Sequence, residues 1–422
     1  MFFLLVIKLF INIINEEVFA MTQGSATLVL DLGNSETRGI VLFGRDMTTG
    51  NLREKSFTLS NRFEAVDDDF VPSSDYNEDT STVMNINAKV NGEDFCGTFV
   101  NGEVQLKEFN TAPMRPSATE KKYRSATTAL SFELAILYGM KAIRRMMRAS
   151  SLDSLDITWD VVTLLPPGDI DFGREDMVNL IKSVTEVDCT FPAIKMPIKL
   201  NRITVLPEGF CAYIGAVYDR GRLIRPNMDY LLKETTLVFD IGAGTTDILI
   251  IQDNKIIDSS KHTINRGGNN VTQLVKKALR AEGIVLNETA IANGVITGKI
   301  KDGAREVDIT GVVDKARSEI AKYLVSDMQG YLEETEFPIR SIGRILVCGG
   351  GAMHNESNAD SVSLGEAIVT YLKKLSPYVE LVELPEHEVT KTDADGVMSK
   401  VMEKVSPREL NILGASVLAE MF

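Results

Sequence analysis

The sequence predicts an α/β protein of two similar domains arranged around a central cleft. Two observations carry this reading. The stretch "TLVLDLG" (27–33) returns as "TLVFDIG" (236–242), with five of seven residues identical. Each copy is an apolar strand that turns at glycine and resumes as a second apolar strand, "RGIVLF" (38–43) and "DILII" (247–251). Two hairpins of one design, each opening about half of the chain, indicate a duplicated domain.

The elements that follow each hairpin also correspond. After the first, residues 45–115 read as polar, turn-rich and irregular, a loop or insertion. A long helix follows in "ALSFELAILYGMKAIRRMMRAS", with Ser117 and Glu120 spaced as a capping box ahead of it. Strand "ITWDVVTLLPP" (157–167), helix "GREDMVNLIKSV" (173–184) and the strand-to-helix run "NRITVLPEGFCAYIGAV" (201–217) complete the first half. A polar linker lies near "DRGRLIRPNMDY" (219–230). In the second half come strand "KIIDSSK" (255–261), a largely helical stretch over about 268–335, strand "RILVC" (344–348), a triple glycine and helix "LGEAIVTYLKKL" (364–375). A last helix is signalled by Ser406, Pro407 and Glu409 as N-cap, N1 proline and N3 acid. Strand-strand-strand-helix-strand-helix-strand, read twice, is a duplicated ribonuclease-H-like core. Ligands of open α/β sheets bind at the strand ends, so the hairpins are expected at the cleft.

Composition narrows the function. The 422 residues are 44% hydrophobic with a formal charge of −14. That charge argues against direct nucleic-acid binding, which needs a basic footprint, so any DNA role would run through an adaptor. Cys96, Cys189, Cys211 and Cys348 form no CxxC pair, and His262, His354 and His387 are scattered, which reads as a reduced cytoplasmic protein without structural zinc. "FFLLVIKLFINII" is interrupted by Lys8 and Asn12, falls short of the roughly 20 apolar residues of a span, and lacks the basic start of a signal peptide. Membrane association is therefore not expected. Glu16-Glu17-Val18 back-translates to a sequence resembling a bacterial ribosome-binding site, so residues 1–20 are expected to be untranslated or disordered, with translation starting at Met21.

The turns carry the chemistry. Gly33-Asn34-Ser35 and Gly242-Ala243-Gly244-Thr245-Thr246 offer backbone N–H groups and hydroxyls at close range, a concave nest suited to phosphate. Asp31 and Asp240 would repel phosphate unless a divalent cation stood between. Mg2+ keeps most of its waters, so both carboxylates are expected to hold it through water. Arg38 is a cation placed to reach β- and γ-phosphates. Either motif alone is equally a tight β-turn. "GVITGKI" (294–300) is one residue short of a P-loop, has Ile300 where Ser or Thr should bind Mg2+, and reads as a turn between helices.

These residues carry a resemblance. "DLGNSETR" and "DIGAGTTD" resemble the two phosphate motifs of the actin/Hsp70/sugar-kinase superfamily. "LPEGFCAYIGA" (206–216) and "LNILGASVLA" (410–419) resemble its connecting helices, and "ILVCGGGA" (345–352) its adenosine motif. Within the superfamily the chain is most similar to bacterial actins of the ParM-like plasmid-segregation family. The resemblance implies two actin-like domains: 21–222 with an insertion at about 45–115, and 223–405 with an insertion at about 268–335. The helix of 406–422 is expected to pack back on the first domain. It implies ATP (or ADP) with Mg2+, and a filament that assembles from copies of itself, hydrolyses ATP and moves plasmid DNA through a DNA-binding adaptor.

The site implied is Asp31, Gly33, Asn34, Ser35, Arg38, Gly242, Gly244, Thr245, Thr246, Asp247, Gly349, Gly350 and Gly351 around the nucleotide. Glu208 would orient the attacking water, with Asp240 on the metal's waters. Taken alone, Glu208 is equally a first-turn helix acid, Gly349–Gly351 a plain strand-to-helix turn, and Asp247 a hairpin acid facing solvent. Arg38 departs from the lysine of actins, and Asn34 from the commoner Thr or Ser. A small-molecule kinase of the same superfamily is the main alternative, although no acceptor-hydroxyl base stands out. A membrane-associated actin-like scaffold is the other.

Overall fold

A computed structural model describes residues 23–33, 36–45, 52–73, 76–102, 104, 114, 120–147, 149, 151–152, 154–221, 223–353, 361–392 and 398–421. The chain divides into two compact units, one of Met1–Leu165 with Asp171–Leu206 and one of Pro166–Ile170 with Pro207–Phe422.

Among the described residues the first unit holds ten strands: β1 (Gln23–Leu32), β2 (Glu36–Arg45), β3 (Leu52–Ser60), β4 (Phe63–Val66), β5 (Ser81–Val90), β6 (Glu93–Gly102), β7 (Asp156–Leu165), β8 (Glu186–Phe191), β9 (Ile194–Pro197) and β10 (Lys199–Pro207). Helices α1 (Ala126–Met147) and α2 (Ile170–Ser183) join them, α2 beginning in the residues assigned to the other unit. The main sheet runs β10-β7-β1-β2-β3, and a smaller one β4-β6-β5-β8-β9. Helix α1 touches β1, β2 and β3 of the first sheet and β5 and β8 of the second. Packed from both sides, it buries residues around its whole circumference, from Thr127 through Ile143.

The strands over 52–102 correct the irregular insertion expected there. The overlooked signal is Asn91-Gly92, at φ 54° and 81°. Both residues have the positive φ that a two-residue hairpin turn demands, and "STVMNINAKV" and "EDFCGTFVNG" pair across it. The expected capping box also fails. Ser117 lies outside the described residues. Helix α1 begins only at Ala126, after a 3-10 turn at Lys122–Arg124, and the Glu120 carboxylate accepts from Ser125 Oγ at 3.0 Å.

The second unit contains β11 (Thr236–Ile241), β12 (Thr246–Gln252), β13 (Lys255–Ile256), β14 (His262–Ile264), β15 (Lys299–Asp302), β16 (Arg305–Asp308), β17 (Arg344–Cys348), β18 (Glu380–Leu381), β19 (Glu386–Thr392) and β20 (Met398–Lys404). Its helices are α3 (Phe210–Val217), α4 (Gly268–Ala281), α5 (Glu288–Thr297), α6 (Thr310–Glu334), α7 (Leu364–Leu372) and α8 (Leu410–Ala419). Its main sheet runs β13-β12-β11-β17-β18, with β14 also on β12. The two main sheets share one plan. A central strand pairs antiparallel with the next strand and parallel with a later one, β1 with β2 and β7, β11 with β12 and β17.

Strands β11 and β12 are buried on both faces, so they read as continuous apolar runs. One face packs on α4, α6 and α7 through Phe239, Ile248, Val275 and Leu324; the other packs on α3 and α8 through Val238, Leu249, Ala212 and Val417. Helices α3 and α8 cross at glycines. A Cβ on Gly215 would strike the Leu410 carbonyl oxygen, and one on Gly414 the Cys211 carbonyl oxygen. The backbones touch there because neither residue has a side chain.

Three local expectations change. Ser260 interrupts the strand expected over 255–261: its hydroxyl accepts from Ile250 N–H at 2.7 Å and donates to the Ile257 carbonyl at 2.6 Å, standing in for strand pairing across a 3-10 turn. Helix α8 begins at Leu410 with Glu409 as N-cap, not at Ser406, because the Pro407 carbonyl is engaged by Gly349 N–H at 2.9 Å. The P-loop-like "GVITGKI" spans the end of α5, where Gly298 caps it at φ 74°, and the start of the β15–β16 hairpin. It is a helix C-terminus, which offers carbonyls rather than amides.

Candidate functional site

In the second unit the β11–β12 register sets Asp240 directly opposite Asp247, and β14 adds Thr263 beside Asp247. Directly opposed residues of an antiparallel pair share a face, and like charges there are destabilising. Each carboxylate has a hydrogen-bond donor of its own. Asn411 Nδ2 on α8 donates to Asp240 Oδ2 at 2.5 Å, and Thr263 Oγ1 donates to Asp247 Oδ1. Both acids are buried.

Above them the turn Gly242–Thr245 is half-exposed, closed by Gly242 N–H donating to the Thr245 carbonyl at 2.9 Å. The N–H groups of Ala243, Gly244 and Thr245 donate to no protein group among the described residues. Three free amides on one tight turn make an anion-binding concavity.

Two further glycine turns press against this one. Gly268 N–H donates to the Gly242 carbonyl at 2.9 Å, and Asn269 N–H to the Ala243 carbonyl at 2.8 Å. From the other side a Cβ on Gly351 would lie 2.7 Å from the Gly242 carbonyl oxygen. Gly349, at φ +88°, leaves no room for a Cβ, which would strike the Ile241 carbonyl and lie 2.6 Å from Asp240 Oδ1. Gly350 is exposed. Of the triple-glycine turn, Gly349 thus lies against Asp240 and Gly351 against the Gly242 turn. Thr246 sits differently from its expected part: it is fully buried, and its hydroxyl donates to the Arg266 carbonyl at 2.7 Å, pinning the loop that leads to Gly267 and Gly268.

Glu208 is buried at the end of β10, one residue before Gly209, the φ +69° N-cap of α3. Gly209 N–H donates to Asn411 Oδ1 at 2.9 Å. The Asn411 side chain therefore links Asp240 to the backbone amide that follows Glu208.

In the first unit the same register sets Asp31 opposite Arg38. Arg38 is ion-paired with Glu36, and Gly33 O accepts from Asn61 Nδ2. Asn34 and Ser35 lie outside the described residues. So the first hairpin opposes its acid with a cation, the second with another acid.

Sequence reading missed Asn411, Asn61, Thr263, Gly267 and Gly268. Asn411 had a usable signal. It is a poor helix former inside the apolar run "LNILGASVLA", and a polar group at such a place needs partners.

Most of the chain, 94% or more, is similar in fold to actin homologues. The actin-like protein Alp7A matches with a TM-score of 0.63 at 14% identity, over 94% of this chain and 97% of its own. The archaeal actin homologue Ta0583 in complex with ADP matches at 0.59 and 13% identity, over 94% and 100%. A 15-stranded ParM filament from Clostridium botulinum provides a match at 0.54 and 16% identity, over 95% and 100%.

The chain has the actin-like fold.

The family model for the C-terminal part of archaeal MreB-like actin homologues matches residues 238–359 of this actin-like chain, from β11 past the triple glycine. No curated protein matches it in sequence. Among the described residues of the actin-like chain no helix is long and apolar enough to cross a membrane.

Proposed function

We propose that this actin-like protein binds and hydrolyses ATP with Mg2+, assembles into filaments of its own copies, and segregates plasmid DNA through a DNA-binding adaptor. The observation that carries the nucleotide reading is the free-amide turn Ala243–Thr245 standing over the opposed pair Asp240 and Asp247. Amides suit phosphate oxygens, and two facing carboxylates suit a cation. Among the described residues no three His, Cys, Asp or Glu side chains converge as metal ligands, so the pair fits a hydrated cation held through its waters.

Bound Mg2+ would supply charge neutralisation for the polyphosphate. The chain's own part is positional. Ala243, Gly244 and Thr245 donate to phosphate oxygens. Asp240 and Asp247 would hold the hydrated cation through its waters. Glu208, directed by the left-handed Gly209, orients the attacking water. Gly349 and Gly351 let the turns close, and Gly350 leaves the backbone bare for a ribose or base. The first hairpin, Asp31 to Arg38, reads as a second phosphate-binding turn.

Filament formation is supported by the likeness to a ParM solved as a filament, and nucleotide binding by the likeness to a homologue solved with ADP. The net charge of −14 favours an adaptor for DNA.

Pelleting and light scattering of the full chain with and without Mg·ATP test the reading, with Asp240→Ala and Glu208→Ala beside the wild type. ATP-dependent assembly above a critical concentration is expected. Asp240→Ala should lose nucleotide affinity; Glu208→Ala should bind nucleotide and form long-lived polymer. Turnover without a concentration threshold would favour the small-molecule kinase. Loss of all nucleotide binding in Glu208→Ala would overturn the role given to that residue.

A further inference from the structure

Asn411 uses both ends of its amide. Nδ2 donates to Asp240 Oδ2 at 2.5 Å, and Oδ1 accepts from Gly209 N–H at 2.9 Å. The residue is buried on α8, between Leu410 and Ile412, which are buried too. Packing alone would be met by leucine. An amide buried in such surroundings is costly unless its donor and acceptor are both satisfied, and here they are.

The two partners belong to different parts of the proposed chemistry. Asp240 faces Asp247 beneath the free-amide turn. Gly209 shares its peptide plane with Glu208, so the bond to the Gly209 N–H holds the peptide group that carries Glu208 into α3. Gly209 is at φ +69°, a conformation a side chain would strain, and a Cβ there would lie 2.6 Å from Leu249 Cδ2. We propose that Asn411 is a positioning residue for hydrolysis, one planar amide that holds Glu208 in register with Asp240. The inference rests on the function proposed above.

Few side chains can do this. Aspartate keeps the acceptor for Gly209 and loses the donor. Leucine keeps the volume and loses both. Glutamine carries both groups one methylene farther out. The amides of Ala243, Gly244 and Thr245 make no bond to Asn411, so phosphate binding does not depend on it. Removing Asn411 therefore costs turnover and spares affinity. A displacement of about 1 Å in a positioned group slows a reaction by as much as about 100-fold.

The test uses the full chain as wild type, Asn411→Leu and Asn411→Asp. Three quantities are read: affinity for a fluorescent ATP analogue, the single-turnover rate of ATP hydrolysis with Mg2+, and the midpoint of thermal unfolding. Asn411→Leu is expected to hydrolyse at least about 10-fold more slowly, within the range a misplaced group produces, with affinity nearly unchanged and polymer that outlives the wild type's. Asn411→Asp keeps the Gly209 bond and the shape but turns a carboxylate toward Asp240 in place of the donor, and is expected to slow hydrolysis as well; it decides the matter if the leucine variant does not fold. Equal losses of affinity and rate in Asn411→Leu would mark a purely structural residue and overturn the proposal. So would wild-type hydrolysis by Asn411→Asp. A wild-type chain that hydrolyses no ATP would instead overturn the function itself, and this inference with it.

Discussion

Asn61 donates its side-chain amide to the carbonyl of Gly33, the glycine on which the first hairpin turns. It is 1% exposed, and its Oδ1 accepts from Thr37 Oγ1 at 2.8 Å and from Ser131 Oγ at 3.0 Å. One side chain at the β3–β4 junction thus ties the hairpin to α1. Asn101 on β6 holds the same junction, donating to the Ser60 and Arg62 carbonyls at 2.8 Å each. Asn61→Ala should leave two buried hydroxyls and a carbonyl without this partner. Each buried group left unpaired costs about 1–3 kcal/mol. Urea unfolding should give a free energy lower by that order, read as a lower midpoint with the slope unchanged. A free energy within about 0.5 kcal/mol of wild type, the range of an inert surface change, would show that water takes over the bonds.

Glu133 makes stability depend on pH. It lies 1% exposed on α1. Burial, reinforced by the Asp188 and Glu186 carboxylates, pushes its pKa from 4.5 to about 8, against the opposing bond from Asp188 N–H. The folded chain therefore keeps a proton that the unfolded chain releases above about pH 4.5. The raised pKa stabilises the fold fully below that pH, and the contribution is lost as pH climbs toward about 8. Glu133→Gln keeps an acceptor for Asp188 and cannot ionise. The wild type should lose stability relative to the variant between pH 5 and 8, by a few kcal/mol at about 1.4 kcal/mol per unit. Parallel stability curves for the two proteins across that window would contradict this.

The triple glycine can be tested one residue at a time. Gly349 is at φ +88° with no room for a Cβ, whereas a Cβ on Gly350 would meet nothing closer than Arg408 Nε at 3.6 Å. Gly349→Ala must take on the strain of an essentially glycine-only backbone region, φ 88° and ψ 164°, about 1–3 kcal/mol, and push either Ile241 or Asp240 aside. Nucleotide affinity should drop at least about tenfold, which is about 1.4 kcal/mol. Gly350→Ala should leave unfolding unchanged. Wild-type nucleotide affinity in Gly349→Ala would remove Gly349 from the site.

The parts of the fold that could be read in the sequence were those written in neighbouring residues. The twin hairpins announced themselves because β1 and β11 carry the same apolar run into the same Asp-x-Gly turn. Strand β17 and the triple glycine were legible for the same reason. What escaped depends on residues far apart in the chain. Asn411 stands 171 positions from Asp240, and Asn61 28 from Gly33; no local pattern pairs them. Ser260 broke an expected strand through a hydroxyl whose partners only the folded sheet supplies. The small sheet of the first unit was missed differently, since its Asn91-Gly92 turn was in plain view between alternating strands and was outweighed by the acidic run "DDD" and the prolines and serines around it.

The crossing of α3 and α8 joins packing to the proposed chemistry. Gly414 lies three residues after Asn411 on α8, nearly one turn on and on the same side of the helix. A Cβ there would collide with the Cys211 carbonyl oxygen and its carbon, both backbone atoms within α3, where no rotamer can make room. Gly414→Ala must therefore move one helix off the other. Overpacking of this kind costs about 1–3 kcal/mol, partly offset by the better helix propensity of alanine, about 1 kcal/mol. The movement carries Asn411 away from both Gly209 and Asp240, because all three contacts sit at one end of the crossing. Gly414→Ala should therefore resemble Asn411→Leu in slowing hydrolysis at least about tenfold, the size of effect a displacement of an ångström produces. Combining the two substitutions separates the routes. If Gly414→Ala acts through Asn411, the double variant hydrolyses no more slowly than the slower single one; multiplied losses would show that the helix contact reaches Glu208 by another path.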